Sequence, residues 1–354
     1  MKFSRAISSN FLAQIANPAS RFYADYLAYS SGKITEDQLI ARLPHVAIIG
    51  DSVCMDIYIS SAWSTFWRAH MRRRDGNWFL NLDPEPDGVR SVSKQLERLT
   101  PFVAAEYAGI GALVDDERAR LNFFRRVLGA QNFSGQIARL LCAARFPDLV
   151  LISIGHNNVD WAWRCPHSEL ADPENQLRRI SRSFRENFAR QVRRLTERAR
   201  RQEHRVAVVV YGLINFATYF NGRETAERLR RENRRLYPHL ETTYKYFRSF
   251  RPDYRRDLIR VALMVNDQLR SMVNELNCEL GASRNLQVRY SDSLARADLS
   301  RVELLHEIDG WHASREGHNV LADAAFSDLG PSLDFLGITP PSANPERKGR
   351  DRQL

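Results

Sequence analysis

Residues 46–52 read Val-Ala-Ile-Ile-Gly-Asp-Ser, an apolar run of strand length that ends in a turn bearing a serine. A short continuous apolar run bounded by a turn signal is typical of a strand that is buried on both faces of a parallel sheet. The turn leaves the serine at the carboxyl end of that strand. This stretch predicts the first strand of an α/β fold, with a polar side chain at the edge where such sheets bind ligands.

Four further apolar runs follow, and each is separated from the next by a helical or mixed stretch. Such alternation requires right-handed crossovers and places helices against the faces of a parallel sheet. We therefore expect a three-layer α/β/α domain of flavodoxin-like layering, with a central parallel sheet of about five strands and a crevice at their carboxyl ends. The predicted strands are residues 46–49, 102–107, 149–154, 205–211 and 286–290.

Two long amphipathic helices are predicted at residues 176–201 and 258–280, because apolar residues recur there at steps of three or four. The other face of the first helix is rich in arginine, which indicates a solvated face or a surface for an anionic partner. Around these elements, residues 1–43 predict a helical extension, residues 44–336 the α/β domain, and residues 337–354 a disordered tail.

Residues 216–257 are too long for an ordinary connection after a strand, and they mix aromatic side chains with arginines. We interpret them as an insertion in the domain. Three uses of the insertion stay open: a lid or substrate wall over the crevice, plain packing, and stacking of its rings on nucleic-acid bases.

The bulk composition narrows the class of protein. Lysine and arginine total 52 against 42 aspartate and glutamate residues, but the charge is spread along the chain, which argues against a dedicated nucleic-acid binder. The four cysteines, Cys54, Cys142, Cys165 and Cys278, form no zinc pattern, which favours free thiols in a reducing compartment. We find no secretory signal and no transmembrane segment in the sequence, so we expect a cytoplasmic protein.

A second motif, Asp309-Gly310-Trp311-His312, lies near the other end of the chain. A serine hydroxyl is a weak nucleophile unless a base accepts its proton, and a histidine is a dependable base only when an acid fixes its tautomer. One turn of the form Asp-x-x-His can present both groups. The pattern predicts Ser52 as nucleophile, His312 as base and Asp309 as the acid that orients it.

Two further segments follow strands and can donate hydrogen bonds to the negative oxygen of a tetrahedral intermediate. Gly109-Ile110-Gly111 follows the second strand, where glycine lets a backbone N–H approach a substrate closely. Gly155-His156-Asn157-Asn158 follows the third strand, where the Asn157 amide can point into the same crevice. Both segments are expected at the same end of the sheet as Ser52.

Taken in this order, the four segments resemble the signature blocks of the SGNH (GDSL-type) esterases and lipases, over roughly residues 44–330. The resemblance implies the SGNH hydrolase fold and hydrolysis of a carboxylic ester through an acyl-enzyme. It also implies a small-molecule or lipid-like ester as substrate, no nucleic-acid partner, and no metal or organic cofactor.

The family's functional residues carry over by position onto this sequence. They are the nucleophile Ser52, the acid Asp309, the base His312, and the oxyanion-hole donors Ser52, Gly111 and Asn157. Gly109 is a close rival of Gly111. The sequence departs from the family pattern at Asn158, where an aspartate normally supports the loop, and this leaves the anchoring of that loop open.

Three other functions use parts of the same pattern. Metal binding by His306, Asp309 and His312 requires a helix across Gly310 and leaves the serine and asparagine segments unexplained. Acyl transfer to an alcohol or amine uses the same acyl-enzyme as hydrolysis. A non-catalytic protein that binds an anionic or nucleic-acid partner has no need of all three triad residues. Ester hydrolysis is therefore the main prediction, with acyl transfer as its alternative.

Three nearby residues have simpler interpretations. We interpret His318 as a structural residue of the last helix and Cys54 as a packing residue. His156 either lines the crevice or packs its loop, and the sequence leaves both uses open.

Overall fold

The computed structural model describes residues 6–7, 11–54, 77–81, 88–109, 111–114, 132–161, 173–241, 252–281 and 283–338. Predicted features that lie outside these ranges include the tail beyond residue 338, the part of the insertion at residues 242–251 and Cys165, one of the four predicted free thiols.

Within the described residues, six strands form one sheet in the spatial order β1-β3-β2-β4-β5-β6. Strands β2 to β6 are parallel, and the short β1 runs antiparallel to β3. The strands are β1 (Ala6–Ile7), β2 (His45–Gly50), β3 (Val103–Glu106), β4 (Leu149–Ser153), β5 (Val206–Tyr211) and β6 (Leu286–Ser291). The five predicted strands and the predicted α/β fold class are confirmed.

Helices flank the sheet, and short 3₁₀ turns cover Ser52–Cys54 and Val302–Leu304. None of the helices in the described part of the chain is long and apolar enough to cross a membrane. The helices are α1 (Phe11–Ile15), α2 (Tyr23–Ser30), α3 (Glu36–Ile40), α4 (Val92–Glu97), α5 (Phe133–Leu141), α6 (His156–Trp161), α7 (Pro173–Arg200), α8 (Phe216–Glu232), α9 (Pro252–Leu280), α10 (Ser293–Arg296), α11 (Arg315–Ser327) and α12 (Gly330–Leu336).

The strand order places a crevice beside β2. Strands β2, β4 and β5 are buried along their whole length, which explains why each is a continuous run of apolar residues. The chain passes from β2 to β3 on one side and then returns to β4 on the other side. Ligands bind in α/β sheets at such a reversal of strand order, so the carboxyl end of β2 is the expected site.

The two long predicted helices are α7 and α9, which pack against each other. The predicted apolar face of α9 is buried, as is that of α7 from Phe184 to Ala199, while most of the described arginines on the other face of α7 are exposed. From that face Arg185 pairs with Glu275, and Arg193 pairs with Glu279 at 2.9 Å, both across to α9. These ion pairs favour the interpretation of a solvated face over that of a surface kept for an anionic partner.

The N-terminal segment covers the outer edge of the sheet. Strand β1 pairs with β3, and the helices α1 to α3 pack beside it around a small apolar cluster. An uncovered strand edge is a template for pairing with another chain, and this segment covers it. The buried members of the cluster are Ile15, Phe22, Leu39, Leu43 and Val103. The predicted domain limits at residues 43 and 336 stay a prediction.

Candidate active site

The turn after β2 presents Ser52 at the carboxyl end of the sheet. A Cβ on Gly50 would lie 2.4 Å from Cys54 Sγ and 2.6 Å from Ser153 O, so only glycine fits there. The Gln136 side chain accepts from Gly50 N–H and donates to Gly50 O, both at 2.9 Å. Ser52 then begins the 3₁₀ turn with 6% of its surface exposed. The backbone that leads into the serine is therefore fixed.

Asp51 links the serine turn to the loop that carries Asn157. The Asp51 carboxylate is fully buried, and it accepts from the N–H groups of Gly155 and His156 at 3.0 and 3.1 Å. His156 Nδ1 lies 3.0 Å from Asp51 Oδ2, while His156 Nε2 accepts from Ile214 N–H at 3.2 Å. The His156 proton therefore lies on Nδ1 and is donated to the carboxylate. These contacts favour loop packing over substrate contact for His156.

Sequence reasoning missed this role of Asp51. The available signal was a carboxylate directly after a buried strand, because a buried charge requires hydrogen-bonding partners. Its partner His156 follows β4, the strand that neighbours β2. Which strands are neighbours was not fixed by the sequence pattern, so the pair could not be assigned from it.

Asn158 anchors the same loop to the segment after β3. Its Oδ1 accepts from Val114 N–H at 3.0 Å, and both groups are buried. An amide oxygen accepts this hydrogen bond as a carboxylate oxygen would. The departure from the family pattern at residue 158 therefore still leaves the loop with an anchoring acceptor.

The glycine segment lies against Asn157. Ala112 N–H donates to Gly109 O at 3.1 Å and closes a turn in which Gly111 has a φ of +62°. This left-handed conformation favours glycine. Asn157 Nδ2 donates to Ala112 O at 3.3 Å, which places the amide beside the turn. Gly109 N–H donates to Gly50 O at 3.1 Å, so it is already engaged with the end of β2.

The Asp-x-x-His motif lies in a tight loop that its own backbone closes. Leu305 and Ala313 form an antiparallel bridge at the base of the loop. Inside it, His306 N–H donates to His312 O and Gly310 N–H donates to His306 O, both at 2.8 Å. Gly310 has a φ of +57°, which again favours glycine.

Within this loop the side chains of Asp309 and His312 make direct contact. His312 Nδ1 lies 2.6 Å from Asp309 Oδ2, and Asp309 Oδ1 accepts from the N–H groups of Trp311 and His312 at 2.9 and 3.2 Å. Burial raises the pKa of Asp309, but the charge and hydrogen bond of His312, the Trp311 N–H and the charge of His306 outweigh it. The pKa of Asp309 therefore lies below its usual value. The buried carboxylate can thus orient the imidazole.

Ser52 and His312 line one small, mainly apolar cavity. Its volume is about 20 Å³, roughly the room that one water molecule needs. The other walls include Ile214, Tyr219, Leu299, Leu304, Leu305, Trp311 and Leu321. The structure thus places Ser52 and His312 on the walls of one cavity, and it places the Asn157 amide beside the Gly111 turn.

The metal alternative gains no support from the loop geometry. His306 Nδ1 accepts from Ile308 N–H at 3.1 Å, so this nitrogen is engaged inside the loop. Across the ranges that the structure describes, no three His, Cys, Asp or Glu side chains are grouped to hold a metal ion.

Cys54 is buried beneath the serine turn. Its Sγ donates to Ser153 O at 3.3 Å. Burial, together with the charge of Asp51, raises the pKa of the Cys54 thiol well above its usual value. A protonated, buried thiol packs and does not attack a substrate, which agrees with the packing interpretation.

His318 belongs to α11, where its side chain is buried and lines the same cavity as Ser52 and His312. Its Nδ1 accepts from Trp78 N–H at 3.1 Å. Burial and the charges of His312 and His306 lower the pKa of His318 to about 3. The fold therefore opposes protonation of His318, which favours the structural interpretation, although its helix α11 is followed by α12 and is not the last one as predicted.

We expect His318 to make the protein sensitive to mild acid. In the unfolded chain the pKa of His318 is about 6.5. As the pH falls from that value toward 3, the unfolded chain therefore binds more protons than the folded chain, and the folded state loses stability. Between about pH 6.5 and pH 4.5 this residue should lower the free energy of unfolding by ~2 kcal/mol. Urea unfolding of the native chain and of His318→Asn, which keeps an acceptor for Trp78 N–H, measures the difference. An identical pH dependence in both proteins would contradict the assignment.

Comparisons with solved structures give distant likenesses. The lipase Lip_vut3 from a goat rumen metagenome is 12% identical with a TM-score of 0.42, over 80% of this chain and 96% of that chain. An extracellular lipase from Streptomyces rimosus is 12% identical with a TM-score of 0.45, over 80% and 99%. A carbohydrate acetylesterase family member from Sinorhizobium meliloti is 14% identical with a TM-score of 0.40, over 83% and 100%. A search of curated protein sequences found no match.

A comparison with family models gives a match over most of the chain. The model described as GDSL-like Lipase/Acylhydrolase matches residues 46–325, from β2 into α11. The matched span includes the serine turn, the glycine segment after β3, the asparagine segment after β4 and the Asp-x-x-His loop.

Proposed function

The chain belongs to the GDSL-like lipase/acylhydrolase family, and from this premise we propose that it hydrolyses carboxylic esters through an acyl-enzyme on Ser52. The observation that carries the proposal is the 2.6 Å contact between His312 Nδ1 and Asp309 Oδ2, beside a cavity that His312 shares with Ser52. Because Nδ1–H donates to the carboxylate, Nε2 carries the lone pair that accepts the serine proton.

The reaction proceeds in two acyl-transfer steps. Ser52 Oγ attacks the acyl carbon as its proton passes to His312 Nε2, and the tetrahedral intermediate collapses when His312 returns that proton to the leaving alcohol. A water molecule then attacks the acyl-enzyme and gives its proton to His312, and the acid leaves as Ser52 regains a proton. Asp309 stays ionised and stabilises the imidazolium in both steps. The scheme uses no metal or organic cofactor.

The oxyanion of each intermediate requires donors that are already in place. We assign the N–H groups of Ser52 and Gly111 and the side-chain amide of Asn157. The contact of Asn157 Nδ2 with Ala112 O supports the grouping, because it sets the amide next to the Gly111 turn. Gly109 remains the rival candidate, and its N–H donates to Gly50 O at 3.1 Å.

A fluorophosphonate labelling experiment tests the proposal. The probe phosphonylates an activated serine as fluoride leaves, and peptide mass spectrometry should find the adduct on Ser52. Labelling of another residue, or no labelling, would remove the basis of the mechanism. Turnover of aryl esters with and without an added alcohol then separates hydrolysis, which gives the free acid, from acyl transfer, which gives a new ester.

The oxyanion assignment predicts that Asn157→Ala lowers kcat by about 100- to 1000-fold with little change in KM. The amide stabilises charge that develops only after the serine attacks, so its loss acts on the transition state. Steady-state kinetics of ester hydrolysis measure the effect, with kcat expressed per active site that the fluorophosphonate labels. Asn221→Ala, which removes an exposed asparagine of α8, is the matched control and should retain wild-type turnover. Equal kcat values for the two variants would exclude Asn157 from the oxyanion hole.

A further inference from the structure

Arg223 is an arginine of the insertion whose side chain is fully buried. Its Nη1 donates to Asp309 O at 3.1 Å and to Gly310 O at 2.9 Å, and its Nη2 donates to Leu240 O at 3.1 Å. A buried guanidinium is costly unless its donors and charge are matched. Here two of these hydrogen bonds go to backbone carbonyls of the loop that carries Asp309 and His312.

The insertion holds three successive carbonyls of that loop. His239 N–H donates to Ile308 O at 2.9 Å. Arg223 donates to the next two carbonyls, and Tyr219 OH donates to the second of them, Gly310 O, at 3.1 Å. These contacts come from outside the loop, in addition to the hydrogen bonds that close it from within.

Apolar and aromatic side chains of the insertion pack against the same loop. A Cβ on Gly310 would lie 3.4 Å from Leu240 Cδ1 and 3.5 Å from Tyr237 Cδ1. The Trp311 ring lies edge-on to the Tyr219 ring, with 5.2 Å between centroids, and stacks on the Phe216 ring at 6.4 Å. Side chains of the insertion therefore pack directly against the loop.

From these contacts we infer that Arg223 is a positioning residue for catalysis, which fixes the Asp309–His312 pair through the backbone of its loop. The inference rests on the proposed function of that pair. Residues 216–241 of the insertion accordingly support the acid and the base. A planar guanidinium suits this role because its rigid fork of donors can hold neighbouring carbonyls at once.

The charge of Arg223 belongs to a small ion-pair cluster that offers a matched control. Arg223 Nε donates to Glu227 at 3.1 Å, and Glu227 also pairs with Arg255 of α9. Arg255 in turn pairs with Glu224 at 3.1 Å. Removing either arginine leaves Glu227 with one partner fewer, but of these two arginines it is Arg223 that donates to Asp309 O and Gly310 O.

The test compares three variants, Arg223→Met, Arg223→Lys and Arg255→Met. For each variant we measure the melting temperature, and kcat and KM with 4-nitrophenyl acetate as substrate. The value of kcat is expressed per active site that a fluorophosphonate labels. Misplacement of catalytic groups by about 1 Å can cost about 100-fold in rate. We expect about that loss of kcat in Arg223→Met, with KM within about threefold, and partial recovery in Arg223→Lys. Arg255→Met should lower the melting temperature but keep kcat per labelled site.

Tyr219→Phe covers the case in which Arg223→Met does not fold, since it removes one hydroxyl that donates to Gly310 O. It should lower kcat by about threefold to tenfold. The inference is overturned if the folded Arg223 variants and Tyr219→Phe all keep wild-type kcat per labelled site, or if Arg255→Met loses as much kcat as Arg223→Met. A native protein that fails to label at Ser52 contradicts the proposed function instead.

Discussion

Ser52→Ala is expected to lower kcat for ester hydrolysis by about 10⁵- to 10⁶-fold, which is the largest effect that we predict. Without the hydroxyl no acyl-enzyme forms, and the remaining rate comes from water in a site that still binds the substrate and its oxyanion. The oxyanion donors and the Asp309–His312 pair stay in place. Fluorophosphonate labelling should disappear together with turnover.

The fold should tolerate Ser52→Ala. The backbone before residue 52 is fixed by Gly50, Gln136 and Asp51, and none of these contacts uses the serine hydroxyl. Ser153→Ala makes the same change at the end of the neighbouring strand β4, where the buried hydroxyl has no assigned role in catalysis. That control should keep turnover within about threefold of the native value. Residual activity of Ser52→Ala above one per cent of the native kcat would refute a serine nucleophile at this position.

The sheet could be predicted from the sequence because its strands are buried on both faces. A strand covered by helices on both sides contains few polar residues, so β2, β4 and β5 appear as unbroken apolar runs. The strand β1 could not be found in this way. Its two residues are too short to show a pattern, and its pairing with β3 depends on how the N-terminal helices pack.

The residues of the candidate site could be predicted where chemistry restricts the residue type. Serine, Asp-x-x-His, glycine and asparagine are the groups that acyl transfer needs, and each follows a strand or lies in one turn. The supporting contacts could not be predicted, because they join segments that are far apart in sequence. Asp51 meets His156 and Arg223 meets Asp309 only after the strands and the insertion have packed. The aromatic residues of the insertion were ambiguous for the same reason.

Asp309→Asn is expected to lower kcat by about 10⁴-fold with the fold intact. The asparagine Oδ1 can still accept from the N–H groups of Trp311 and His312, so the loop keeps its shape. The new amide instead donates toward His312 Nδ1, where the carboxylate accepted at 2.6 Å. The imidazole then carries its proton on Nε2, the nitrogen that must accept the proton of Ser52, and it cannot act as a base.

The pH range over which Asp309→Asn loses kcat follows from the pKa of the Asp309 carboxyl. Because the pKa of Asp309 lies below its usual value, the native carboxylate is ionised throughout the neutral and mildly acidic range. The ratio of native to variant kcat should therefore stay large across that whole range. Asp298→Asn makes the same isosteric change at an exposed aspartate whose Oδ1 accepts from Ser300 N–H at 2.9 Å, and it should leave kcat unchanged. If Asp309→Asn keeps kcat within about tenfold of the native value, Asp309 does not set the tautomer of His312, and another group must orient the base.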